Sequence, residues 1–162
     1  KIKGRIWMIG VVLSLVLSVT AGLHTCFGII PLETISNDLR GSDATNWFYG
    51  WRELAQELEQ DPAVMVAYTD TSQMAAEISY YTQERITGYV DRRHFGGGQY
   101  GYWDLPETLR HKNGVCISYR EGSDALPCSA YFAAVGKTST LTAVRDGIPI
   151  RTYRIIRGEG RK

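Results

Sequence analysis

From Ile6 to Ile30 the chain runs through 25 consecutive residues without Asp, Glu, Lys or Arg, and 17 of them are apolar. As a helix that run measures roughly 38 Å. It exceeds the roughly 30 Å hydrocarbon thickness of a bilayer even after some tilt. Trp7 stands near one boundary, where interfacial aromatics belong, and Pro31 ends the run at the other. Residues 1–32 are therefore predicted to be a transmembrane helix. Lys1, Lys3 and Arg5 precede the run, which puts the N-terminal side in the cytoplasm and everything after Pro31 outside. Two other readings stay open. A signal peptide also has a basic start and an apolar stretch, with Val19-Thr20-Ala21 as its cleavage site, although its apolar core is shorter than this. A fully buried core helix is the third.

Length and charge bound the remainder. A chain of 162 residues supplies one domain with its own core, not two large ones. Apolar residues at 44% and charged residues at 22% exclude a disordered tail and a scaffold held only by disulfides. All 17 acidic residues lie from Glu33 onward, against 15 basic ones there, so the part beyond the helix is nearly neutral. It lacks the basic face of a nucleic-acid binder, and no nucleic-acid partner is expected. The chain begins with Lys rather than Met. That reads as the downstream piece of a longer protein, with processing as the alternative.

Residues 33–46 are polar and rich in Ser, Asn, Asp and Gly, a linker leaving the membrane. Residues 47–162 then form the exterior domain. Trp47, Trp51, Leu54, Ala55 and Leu58 make one helical apolar stripe, stopped by Asp61-Pro62. Ala63 to Tyr68 is a continuous apolar run, the mark of a strand covered on both faces. Asp70 with Gln73 resembles a capping box opening a second helix through Met74, Ala75, Ile78 and Tyr81. Further strands are expected at Ile86–Val90 and Gly114–Tyr119, with a short helix at Leu105–His111 started by Pro106. A hairpin, Thr138–Arg145 and Ile148–Ile156, turns at Asp146-Gly147. The fold class is α/β: a small, three-layer-like domain with a mixed sheet and a C-terminal β-hairpin.

The stretch from Asp91 to Trp103 combines paired arginines, three successive glycines and several aromatics. It is either a phosphate- and sugar-gripping loop or an irregular surface loop whose Tyr100 and Trp103 pack on the core. No P-loop or dinucleotide fingerprint accompanies the glycines. His24, His94 and His111 are scattered without metal-ligand spacing, so no metal is expected. No hydrolase nucleophile elbow is present either. Asp70 sits where parallel sheets bind ligands, but capping the helix is the commoner role for such a residue. Cys116 and Cys128 are either one exterior disulfide or two reduced thiols, and Cys26 is a small filler in the membrane run. The basic tail (Arg145, Arg151, Arg154, Arg157, Arg161 and Lys162) is either a lipid-headgroup contact or the solvated face of a hairpin, and the second is the simpler.

The order of these segments resembles a known family. An uncharged membrane helix is followed by Trp51-Arg52-Glu53-Leu54-Ala55. An apolar strand leads to Ala75-Ala76-Glu77-Ile78-Ser79-Tyr80-Tyr81 and then to Gln99-Tyr100-Gly101-Tyr102-Trp103. Val144-Arg145-Asp146-Gly147 and Arg151-Thr152-Tyr153-Arg154 close the series. This succession resembles the C-terminal end of bacterial family 39 glycosyltransferases of the GT-C type, relatives of dolichyl-phosphate-mannose protein mannosyltransferases. The resemblance implies a multi-pass protein of the inner membrane with a periplasmic C-terminal domain. Such an enzyme moves a sugar from a polyprenyl-phosphate donor to an exterior acceptor. It implies a catalytic acidic loop upstream of these residues, so no catalytic residue is carried over, and no cofactor belongs to this piece. It also implies an accessory role, shaping or covering the active site, for Tyr80, Tyr81, Gln99, Tyr100 and Trp103. Membrane lipid and the sugar-carrying polyprenyl phosphate are the expected partners. The alternative is a single-span, membrane-anchored exterior binding or sensor module.

Overall fold

A computed structural model describes residues 2–41, 43–90, 106–119 and 127–162. The chain divides into two compact units, residues 1–48 and 49–162.

The first unit is built on α1 (Ile2–Phe27). Its stretch Arg5–Phe27 is long and apolar enough to cross a membrane, and none of it is buried. The large side chains from Ile6 to Phe27 are exposed, so the reading of a buried core helix is corrected. By length and composition α1 suits a bilayer. It ends at Gly28, whose φ of 60° and amide bond to the His24 carbonyl form a left-handed stop. The residues that follow, expected as a plain linker, form a 3-10 turn at Leu32–Thr34, the short helix α2 (Asn37–Arg40) and a second 3-10 turn at Ala44–Asn46.

The second unit is a mixed α/β domain. Its elements are α3 (Trp51–Glu59), β1 (Val64–Thr69), α4 (Ser72–Tyr81), β2 (Thr87–Val90) and β3 (Asn113–Ser118). After them come α5 (Cys128–Tyr131), β4 (Phe132–Arg145) and β5 (Ile148–Arg161). The strand order is β2-β1-β3-β5-β4. β1 pairs in parallel with β2 and β3, while β5 is antiparallel to β3 and β4. The turn at Asp146-Gly147 has φ of 52° and 80°, the mirror-image turn that a two-residue hairpin needs.

The strand alternation sorts the core into two faces. On one, Val66, Tyr68, Cys116 and Ile156 pack with Cys128, Tyr131 and Phe132. Tyr68 stacks on Tyr131 at 4.0 Å and meets Phe132 edge-on. Gly114 and Gly158 stand opposite each other across β3 and β5, and a Cβ on either would strike the Phe132 ring. On the other face α4 lies so close to the sheet that a Cβ on Gly88 would meet the Ala75 backbone. Trp51, Leu54, Leu58, Met74 and Ile78 fill that side.

Three local expectations are corrected. The first helix of the second unit begins at Trp51, not Trp47: Trp47, Phe48 and Tyr49 are exposed, and Gly50 at φ 87° interrupts the spiral. A Cβ there would run into the Ala143 side chain, so only glycine fits this approach to β4. The short helix after Pro106 is a single 3-10 turn, Glu107–Leu109. The basic tail is only in part a solvated face: Arg154 and Lys162 are exposed, but Arg151 is buried and others are paired. Arg157 bridges Glu57 and Asp61 at 3.5 Å, Arg161 donates to Tyr68 Oη, and Lys162 donates to the Ser129 carbonyl.

Candidate functional site

In an open sheet, ligands gather outside the carboxyl ends of parallel strands where the chain path reverses direction. β1 is that strand here, since the path continues through α4 to β2 on one side and reaches β3 on the other. Thr69 and Asp70 end β1. Asp70 is only 4% exposed, a buried carboxylate at this edge. It does not cap α4, contrary to the expectation. Thr71, in extended conformation, is the cap, and its side chain accepts the Met74 amide at 3.2 Å. Thr69 Oγ1 donates to the Thr71 and Tyr89 carbonyls, tying the end of β1 to β2 and to the start of α4.

The same edge holds a guanidinium. Arg151 on β5 is 7% exposed, and its Cζ lies 4.4 Å from the Trp51 ring centroid and 5.1 Å from that of Tyr119. Its Nη1 donates to Tyr153 Oη at 3.3 Å. Burial pushes the Tyr153 phenol up to about 12 despite the cation beside it, so it remains a neutral hydroxyl. Burial likewise raises Glu77 on α4, and Arg151 opposes that rise. A cation between aromatic faces is a rigid support. The residues that build it come from α3, β5 and the end of β3, so no linear pattern announced it.

Only part of the sequence-derived candidate set lies among the described residues. Tyr80 and Tyr81 pack edge to face, 5.2 Å apart, at the end of α4. That end precedes β2 and so lies at the amino edge of the strands, opposite Asp70. Gln99, Tyr100 and Trp103, with the rest of the arginine-glycine stretch, lie outside the described residues. Cys116 and Cys128 are bonded as a disulfide joining β3 to α5, and Cys26 is free. No group of three or more His, Cys, Asp or Glu is placed to hold a metal ion among the described residues.

A second polar centre closes the end of α1. The Ile30 amide donates to His24 Nδ1 at 3.1 Å, so the ring hydrogen belongs on Nε2, which reaches Asp43 Oδ2 at 2.9 Å. Asp43 also accepts the Thr45 amide at 2.8 Å and the Thr45 hydroxyl. Burial favours a raised Asp43 pKa, but the hydrogen bonds from His24 and Thr45 outweigh it and hold the carboxyl below its ordinary 3.8. A depressed acid stabilises the fold above its unfolded pKa, and that contribution is lost as pH falls through the folded value. Protection of the Thr45 amide against hydrogen exchange should therefore fall on acidification below 3.8. Asp43→Asn, which keeps an acceptor oxygen but cannot titrate, should show a flat pH profile. An unaltered wild-type profile in the variant would refute the clasp.

No family model, curated protein or solved structure matches the chain.

Proposed function

We propose that the chain is the C-terminal accessory region of a membrane glycosyltransferase. In this reading the enzyme moves a sugar from a polyprenyl-phosphate donor to an acceptor outside the inner membrane, and its catalytic acidic loop lies upstream. The observation that carries the reading is the joined architecture. A helix of membrane-spanning length and an α/β domain that contains a disulfide stand in one chain. Disulfides persist in oxidising compartments, and basic residues precede the helix. Both favour a periplasmic domain and a cytoplasmic N-terminus. The ordered motifs through Gln99-Tyr100-Gly101-Tyr102-Trp103 and the hairpin supply the link to family 39 enzymes.

The test is transfer from a labelled polyprenyl-phosphate sugar by membranes carrying the intact encoded protein. Residues 1–162 alone should not turn over. Trp103→Ala should lower transfer by about 5- to 150-fold, the equivalent of about 1–3 kcal/mol of lost stacking, while the melting temperature holds. A protein destabilised by about 3–5 kcal/mol, with unchanged specific activity in its folded fraction, would make Trp103 a packing residue instead. Intact protein inert towards every polyprenyl-phosphate sugar would overturn the transferase reading.

A further inference from the structure

Residues after α1 carry an unusual load of exposed apolar side chains for a polar connector. Ile29 and Ile30 are exposed, as are Leu39 at 61%, Trp47 at 49% and Phe48 at 70%. Exposed apolar side chains concentrated in one short segment mark a surface that something apolar covers. The connector does not trail away from the helix. His24 grips Asp43, the turn Ala44–Asn46 packs against α1, and the Asn46 side chain donates to the Arg40 carbonyl. Arg40 Nε in turn donates to the Leu32 and Ile35 carbonyls, which folds residues 32–40 into a closed turn. Asp43 is thereby held level with the last turn of α1.

The height of that level can be measured along the helix. Arg5 and His24 are separated by 19 residues, about 28 Å of helix rise. That matches the roughly 30 Å hydrocarbon slab, so the Arg5 charge and the His24–Asp43 pair fall at its two faces. Trp7 then sits just inside one face, and Trp47 and Phe48 follow Asp43 closely at the other. Paired aromatics at both boundaries are what a bilayer interface selects.

We propose that residues 29–48 form an interfacial collar that rests in the outer headgroup layer of the bilayer crossed by α1. Leu39, Trp47 and Phe48 are its lipid contacts, and the His24–Asp43 pair fixes its depth. The occupant of this apolar surface is lipid, because the surface is continuous with a helix already matched to lipid. The collar needs only α1 in a bilayer and is independent of any transferase activity.

The test uses the full chain in phosphatidylcholine–phosphatidylglycerol vesicles, with Cys26→Ser and one nitroxide label per variant. Labels go at Val16→Cys, Leu39→Cys, Phe48→Cys and Tyr80→Cys, all at exposed positions. The ratio of collisions with oxygen to collisions with a water-soluble nickel chelate should be highest at Val16 and lowest at Tyr80. At Leu39 and Phe48 it should lie between them, several-fold above Tyr80. Adding Asp43→Ala should drop the Phe48 ratio towards the Tyr80 value. Leu39 and Phe48 labels as water-exposed as Tyr80 would overturn the collar, whether or not Val16 reports lipid. A Phe48 depth indifferent to Asp43→Ala would overturn the role of the pair.

Discussion

Trp51→Ala will be among the most damaging single substitutions in the second unit. The side chain is 1% exposed and tilts onto Tyr153 at 5.6 Å, with the Arg151 guanidinium over its ring at 4.4 Å. Truncating a buried Trp costs about 3–5 kcal/mol through lost transfer energy and an unfilled cavity. A desolvated cation–aromatic contact adds up to about 2 kcal/mol, since Arg151 loses the Trp51 ring that lies 4.4 Å from its Cζ. For a domain of this size about 4 °C of melting temperature is lost per kcal/mol, so a drop of roughly 12–28 °C is expected. Trp51→Phe keeps an aromatic surface under Arg151 and should lose less than half as much. A drop under a few degrees for the Ala variant would mean that α3 is not anchored through this residue. Thermal unfolding of the full chain in detergent, followed by near-ultraviolet dichroism, reads the outcome.

The large elements were legible because each rests on a local signal. α1 announces itself by 25 uncharged residues, β1 by an unbroken apolar run, and the hairpin by Asp146-Gly147. The errors arose where two neighbours could satisfy the same local rule. Trp47 has the spacing to continue the stripe of α3, but Gly50 must adopt a positive φ to let the chain pass Ala143 and Tyr153. Asp70 and Thr71 are both competent caps, and the tertiary path gives Thr71 the extended conformation and buries Asp70. The Arg151 support and the His24–Asp43 pair were invisible for another reason. Each joins residues far apart in the chain, and only the folded backbone makes them neighbours. Of the candidate cover residues, Tyr80 and Tyr81 are placed at the amino edge of the strands, and the remaining three lie outside the described residues.

Breaking the Cys116–Cys128 disulfide is the second change expected to be large. The bond spans a separation of 12 residues and ties β3, at the centre of the sheet, to α5 beside Tyr131 and Phe132. Closing a loop of that length in the unfolded chain is worth about 3 kcal/mol, and removal of a native bond costs about 2–5 kcal/mol. Both sulfurs are buried in the aromatic face, so Cys116→Ala with Cys128→Ala removes the cross-link together with two packed sulfur atoms, whereas reduction of the wild type removes the cross-link alone. The double variant should melt about 10 °C or more below wild type, and dithiothreitol should lower the wild type by a large part of that amount. Alkylation before reduction should modify Cys26 alone in the unfolded chain, and after reduction all three cysteines. The compartment adds a second readout, since the bond forms where thiols are oxidised. Chain expressed with its membrane helix should carry the bond, whereas the second unit expressed alone in a reducing cytosol should lack it and start at the lower melting point. Three reactive thiols in the membrane-inserted chain would place the domain on the reducing side and remove the support that the disulfide gives to an exterior location.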